Sequence, residues 1–141
     1  MITRRVLMGG AGVLLAQVLR AQVLRAQNSG GSSKVIFKHD LPEVALRDWA
    51  VTAVEVSYGP GESSPPHSHP GITIAYVLEG EIRSKVGDGA EASYSAGEMF
   101  LETPGELHAV SRNASTSGPA KLLALLLAEK GKPLTTAVSP S

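Results

Sequence analysis

From Lys34 onward the chain reads as short alternating runs of apolar and polar residues, broken by glycine, proline or polar pairs. Breaks at roughly every eight to twelve positions predict an all-β sandwich or barrel. The clearest run is WAVTAVEVSY, Trp49 to Tyr58, which sets Thr52, Val54 and Val56 on one face and Ala53, Glu55 and Ser57 on the other, as a half-buried strand requires. KVIFK, residues 34–38, is a short β-rich run and is also expected as a strand. Thr73 to Leu78 is mostly apolar, and EIRSKV opposes Ile82, Ser84 and Val86 to Glu81, Arg83 and Lys85, with a hairpin turn at Gly87-Asp88-Gly89. Further strands are expected over 91–95, 98–102 and 107–112.

AKLLALLLAEK, residues 120–130, carries two conflicting signals. Alanine, leucine, glutamate and lysine lead the helix scale. Its near-continuous apolar character also suits a strand covered on both faces, and a barrel built from the preceding strands needs one more to close. The segment is expected as that strand.

The first 27 residues differ from the rest. They hold Arg4, Arg5, Arg20 and Arg25 and no acid, around an apolar stretch from Val6 to Leu19 that is shorter than the roughly 20 residues of a membrane span. This pattern reads as an export signal, and Thr3-Arg4-Arg5-Val6-Leu7 resembles the twin-arginine type, which implies a periplasmic or secreted protein. AQVLR occurs twice in tandem, at 16–20 and 21–25; a five-residue period does not return to one helix face, so the repeat builds no surface. Residues 28–33, NSGGSS, read as a flexible tether, residues 34–132 as one barrel and residues 133–141 as a disordered tail.

Beyond residue 27 there are nine basic and thirteen acidic residues. A mildly acidic body gives no electrostatic reason to bind nucleic acid or an anionic membrane, so a small molecule is the expected partner. The absence of cysteine excludes disulfides, thiolate metal ligands and a cysteine nucleophile.

The candidate chemistry lies in PPHSHPG. His67 and His69 are two apart, so in an extended segment both imidazoles project to one face; Pro65 and Pro66 stiffen the approach, and Pro70-Gly71 turns the chain. His108 follows the turn TPGEL. Three imidazoles from separated strands form one face of an octahedron and leave positions open. His39, beside Asp40, is expected to be exposed, and Met99 and Phe100 to be core.

These residues lie in a longer pattern. Gly61, His67, His69 and Gly80 follow G-x5-H-x-H-x3-E-x6-G, and Gly97, Gly105 and His108 follow G-x5-P-x-G-x2-H-x3-N. Over 34–130 the chain therefore resembles a small single-domain cupin, which implies a jelly-roll barrel (a double-stranded β-helix) holding a divalent metal at His67, His69 and His108. Three positions depart from that pattern: Thr73 replaces the glutamate ligand, Thr103 the proline, with Pro104 adjacent, and Arg112 the asparagine, with Asn113 adjacent.

The first departure changes the expected chemistry. A threonine hydroxyl is neutral and a poor ligand, so three imidazoles alone would leave the ion near its full double charge and favour an anionic, chelating substrate. Three-histidine iron cupins imply a dioxygenase, with Fe(II) favoured over Zn, Mn, Ni or Cu. Thr73, Tyr76 and Glu102 are the candidate pocket residues, and Glu102 or Glu106 is the candidate substitute acid. A non-catalytic binding or sensing module, and a hydrolytic zinc site, are the competing readings. A homodimer is expected, because cupins pair edge strands and KVIFK would otherwise leave an edge open.

Overall fold

A computed structural model describes residues 33–138. It contains ten strands in chain order: β1 (Trp49–Tyr58), β2 (Ser63–Ser64), β3 (His67–Ser68), β4 (Ile72–Glu79), β5 (Glu81–Val86), β6 (Ala92–Ser95), β7 (Met99–Glu102), β8 (His108–Asn113), β9 (Ala120–Glu129) and β10 (Thr136–Ala137). Among the described residues there is no helix, and so none long and apolar enough to cross a membrane. The strands form two antiparallel sheets, one ordered β1-β9-β4-β7 and the other β10-β3-β8-β5-β6, with β2 also pairing with β8.

The conflict over residues 120–130 is settled by pairing. β9 is the centre of its sheet, registered with β1 from Ala120↔Tyr58 to Glu129↔Trp49 and with β4 from Lys121↔Glu79 to Leu127↔Ile72. Two full ladders outweigh a helix preference of a few tenths of a kcal/mol per residue. Ala120, Leu122, Ala124, Leu126 and Ala128 point inward and are buried, while Leu123, Leu125 and Leu127 are half-buried on the outer face. Ala120, Leu122, Ala124 and Leu126 pack with Tyr58, Ala75, Val77, Ile82 and Phe100, and Val54, Val56 and Tyr94 lean against that cluster. Burial of each large apolar side chain there contributes roughly 1.5–3 kcal/mol.

Gly71 lets the first histidine loop enter this sheet. A Cβ at that position would lie 1.9 Å from the Leu127 carbonyl oxygen, so only glycine allows the backbone after His69 to lie directly on β9.

The structure corrects the expectation at both ends of the barrel. Residues 34–38 form no strand; Val35 and Ile36 are 80% and 59% exposed, with no ladder partner to hold them. The segment was expected to be a strand from its β-rich composition, but composition alone gives a strand no neighbour. Residues 133–138 are not a disordered tail: Thr136 and Ala137 pair with Ser68 and His67, and Val138 N–H donates to the Pro66 carbonyl. The expected export signal and all of the tether but Ser33 lie outside the described residues, as do residues 139–141.

Candidate metal centre

His67 opens β3, His69 follows it, and His108 opens β8, where His67 and His108 are register partners. The β8 ladder has a bulge: Val86 pairs with His108 but Lys85 with Val110, so Ala109 is the extra residue. That residue restores parity, turning His108, Ser111 and Asn113 to the same inner face, all three buried. It also accounts for the asparagine offset. Asn113 Nδ2 donates to the carbonyls of Gly59 at 2.9 Å and Gly118 at 2.8 Å, and its Oδ1 accepts the Ser115 N–H at 2.9 Å, so Asn113 is the asparagine that pins this corner.

The turn before β8 is equally specific. Glu106 N–H reaches the Thr103 carbonyl, with Pro104 second and Gly105 third at φ 76°, the residue order that a type II turn favours. Gly105 N–H donates to the His69 carbonyl at 2.8 Å, which fastens the second motif to the first.

The acid that the first motif lacks comes from the next strand. Thr73 and Glu102 are directly opposite in the β4–β7 ladder, so their side chains share the inner face. Thr73 is 1% and Glu102 5% exposed. Glu102 Oε2 lies 2.9 Å from His108 Nδ1 and 3.5 Å from His69 Nε2. One donor atom from each of His67, His69, Glu102 and His108 falls within 4.8 Å of the others. Glu102, one of the two candidate substitute acids, thus stands with the three imidazoles, one strand spacing from Thr73.

Each imidazole is held by its outer nitrogen. His67 Nδ1 is 2.8 Å from the Pro65 carbonyl and His69 Nδ1 is 2.7 Å from the Leu134 carbonyl, so both rings donate their N–H outward. His108 Nε2 lies 2.9 Å from Ser84 Oγ. With the ring proton there, Nδ1 presents a lone pair to the Glu102 carboxylate, and this buried nitrogen has no hydrogen-bond partner among the described residues. A ring nitrogen and a carboxylate oxygen at 2.9 Å need either a proton or a metal cation between them. The donor set therefore fits a divalent first-row ion, with outward N–H groups orienting the ligands as metal-bound histidines require. Burial holds His67 below the ordinary histidine range, with the two neighbouring imidazoles adding to the effect against the Pro65 carbonyl and Glu102. That keeps its ring neutral and able to ligate.

A cavity of about 430 Å3 opens in front of the cluster. Its far wall is apolar, formed by Val54, Val56, Leu122, Ala124 and Leu126, and residues 134–137 cross its rim.

The cupin domain model matches residues 54–126, just over half of the chain, and spans both histidine motifs. The chain belongs to the cupin domain family. This cupin is 32% identical over 83 residues to germin-like protein subfamily 2 member 2 of Arabidopsis thaliana, a match covering 55% of the chain and 37% of that longer relative. Among solved structures it resembles oxalate oxidase at 20% identity and a TM-score of 0.54, covering 79% of this chain and 67% of that one. It also resembles the lyase DddQ from Ruegeria pomeroyi, which acts on DMSP, at 20% identity and a TM-score of 0.55, covering 62% and 43% of the two chains. At that identity the likeness establishes the double-stranded β-helix fold.

Of the pocket candidates, Glu102 joins the metal cluster and Thr73 lies beside it with a buried, unpartnered hydroxyl. Tyr76 does not line the cavity. It alternates with the inward Ala75 and Val77 and pairs with the outward Leu123 and Met99, so strand parity sends its ring to the outer face. Met99 shares that face, whereas Phe100 is core as expected. Glu106 is exposed and accepts a hydrogen bond from Thr103, and His39 is exposed and bonded to the Asp40 carbonyl. Sequence reasoning missed Ser84, Leu134 and Thr135, whose roles depend on contacts distant in sequence.

Two outcomes follow. Glu102→Thr should weaken divalent metal binding by more than ~100-fold, beyond the loss typical of an orienting partner, and adding Thr73→Glu should recover most of it by returning the carboxylate from across the ladder. Calorimetric titration checks this; Glu102→Thr with wild-type affinity would contradict it. Ending the chain at Lys132 removes the Leu134 carbonyl and should cost roughly 10–100-fold in metal affinity with β-sheet circular dichroism retained. Unchanged affinity would show that the rim segment does not orient His69.

Proposed function

We propose that this cupin is a metal-dependent oxidoreductase, dioxygenase-like in chemistry, that acts on a small chelating anion. The observation carrying this reading is the convergence of His67, His69, His108 and Glu102 at one end of an apolar cavity. Four donors would leave an octahedral ion with positions open to a substrate. Glu102 offsets one unit of the ion's charge, and a mono- or dianionic chelator offsets the rest. A redox-active ion, Fe(II) favoured, would supply electron transfer to dioxygen at that position.

The residues of the chain contribute in three ways. The outward N–H bonds to Pro65, Ser84 and Leu134 fix the direction of each imidazole lone pair. The apolar wall excludes water from the reacting groups. Outside the ligand cluster, Tyr58 is the one titratable residue lining the cavity among the described residues, and its hydroxyl contacts those of Ser64 and Ser111. Oxalate oxidase and a lyase share the scaffold, so the fold alone does not select the reaction.

The test is anaerobic reconstitution with Fe(II), Mn(II) or Zn(II), followed by oxygen-electrode measurements with diketones, aromatic acids and thiols. Oxygen uptake with Fe(II) and not with Zn(II) is the expected result. Tight ligand binding without uptake for any redox-active ion would leave a binding module instead.

We also propose a homodimer through the outer face of the first sheet. Val51 on edge strand β1 is 65% exposed, and the adjoining Leu123, Leu125 and Leu127 are only half-covered. A second copy buries that stripe and closes the open edge. Sedimentation at micromolar concentration should give twice the chain mass; a monomer throughout would overturn it.

A further inference from the structure

We infer that the substrate is a chelating acid with an apolar body about one aromatic ring long and a hydrogen-bond acceptor at its far end. The inference rests on the metal reading above and deepens it.

The cavity is long in one direction. Along the first sheet the inward residues form successive tiers: Thr52, Leu126, Thr73 and Glu102; then Val54, Ala124, Ala75 and Phe100; then Val56, Leu122 and Val77; then Tyr58 and Ala120. Of the metal-ligand candidates Glu102 belongs to the first tier, with the three histidines gathered around it from the second sheet, and Tyr58 belongs to the last. The side chains exposed to the cavity between them, Val54, Ala124, Val56 and Leu122, are all apolar. A two-carbon acid chelated at the metal would leave these tiers uncovered, because about 430 Å3 falls within the range of pockets that enclose far larger ligands.

The far end carries a defined polar group. Tyr58 Oη lies 2.7 Å from Ser64 Oγ and 2.9 Å from Ser111 Oγ, and all three residues line the cavity. Three hydroxyls carry three protons, and the two contacts use two of them. Among the described residues the third proton has no protein acceptor, so the trio offers one O–H donor. Ser111 follows His108 by three residues of β8, one of them bulged, which at about 3.3 Å per residue separates the trio from the metal ligands by roughly 7–10 Å. A carbonyl, ether or phenol oxygen across one ring from the chelating group spans that interval.

The probes are three hydroxamic acids with the same chelating head: acetohydroxamic, benzohydroxamic and 4-acetylbenzohydroxamic acid. Each is titrated calorimetrically into the full chain, loaded with Zn(II) as a redox-silent ion and also metal-free. Benzohydroxamic acid should bind the loaded protein at least tenfold more tightly than acetohydroxamic acid, and the 4-acetyl compound more tightly still. Tyr58→Phe should reduce the ratio of 4-acetyl to unsubstituted affinity by about fivefold, the size of one hydrogen bond. Equal affinity for the acetyl and benzoyl compounds on loaded protein overturns the apolar body and leaves the metal reading intact. An affinity ratio unmoved in Tyr58→Phe overturns the distal donor. Aromatic compounds binding metal-free protein as tightly as loaded protein overturn the metal reading and this inference together.

Discussion

A carboxylate 5% exposed inside an apolar barrel is the constraint on which the rest of the site depends. Burying an ionised acid costs several kcal/mol unless opposite charge and hydrogen bonds compensate. Glu102 has three imidazoles around it and no arginine or lysine among the residues lining the cavity. Its neighbour His108 turns towards it a nitrogen, 2.9 Å away, that has no hydrogen-bond partner among the described residues. A divalent cation resolves both deficits, because it supplies the charge the carboxylate needs and the acceptor the ring lone pair needs. The surrounding ladders set where each donor stands, and an ion bound there would hold the four together.

Those ladders explain how the sequence departs from its family pattern and keeps the donor set. In an antiparallel pair, opposite residues on one face are as close as neighbours on a helix, so moving a carboxylate from Thr73 to Glu102 shifts it across a single strand spacing. The asparagine displaced by one place is returned to the inner face by the bulge at Ala109. The turn with proline at position 104 still presents Gly105 N–H to His69. What selection of geometry preserves is the direction of a side chain, and sheets offer more than one sequence for a given direction.

This also determines what was legible. Period-two alternation located β1 and β5, the apolar run over 73–78 located β4, the strand expected over 107–112 lies one residue from β8, and the need for a closing strand placed β9 against its own helix propensity. Histidine spacing identified all three imidazoles. The carboxylate was harder to find, since register across a ladder is a property of two segments at once. A signal did exist in one segment: Glu102 shares the parity of the buried Phe100 in an otherwise apolar strand. Residues 34–38 misled for the opposite reason, with strand composition but no partner strand. The rim segment at 134–137 was invisible because its composition is that of a tail and its order comes from β3 and His69.

The cavity, the ligand cluster and the rim form one unit, in which His67, His69, Glu102 and His108 would hold an ion at the end of an apolar chamber. Crystals soaked with Mn(II) or Fe(II) and measured at the metal's absorption edge test this directly. The account predicts one anomalous peak bonded to an oxygen of Glu102 and one nitrogen each from His67, His69 and His108, at roughly 2.0–2.3 Å. A peak held by the three histidines with Glu102 turned away, or no peak at saturating metal, would contradict it.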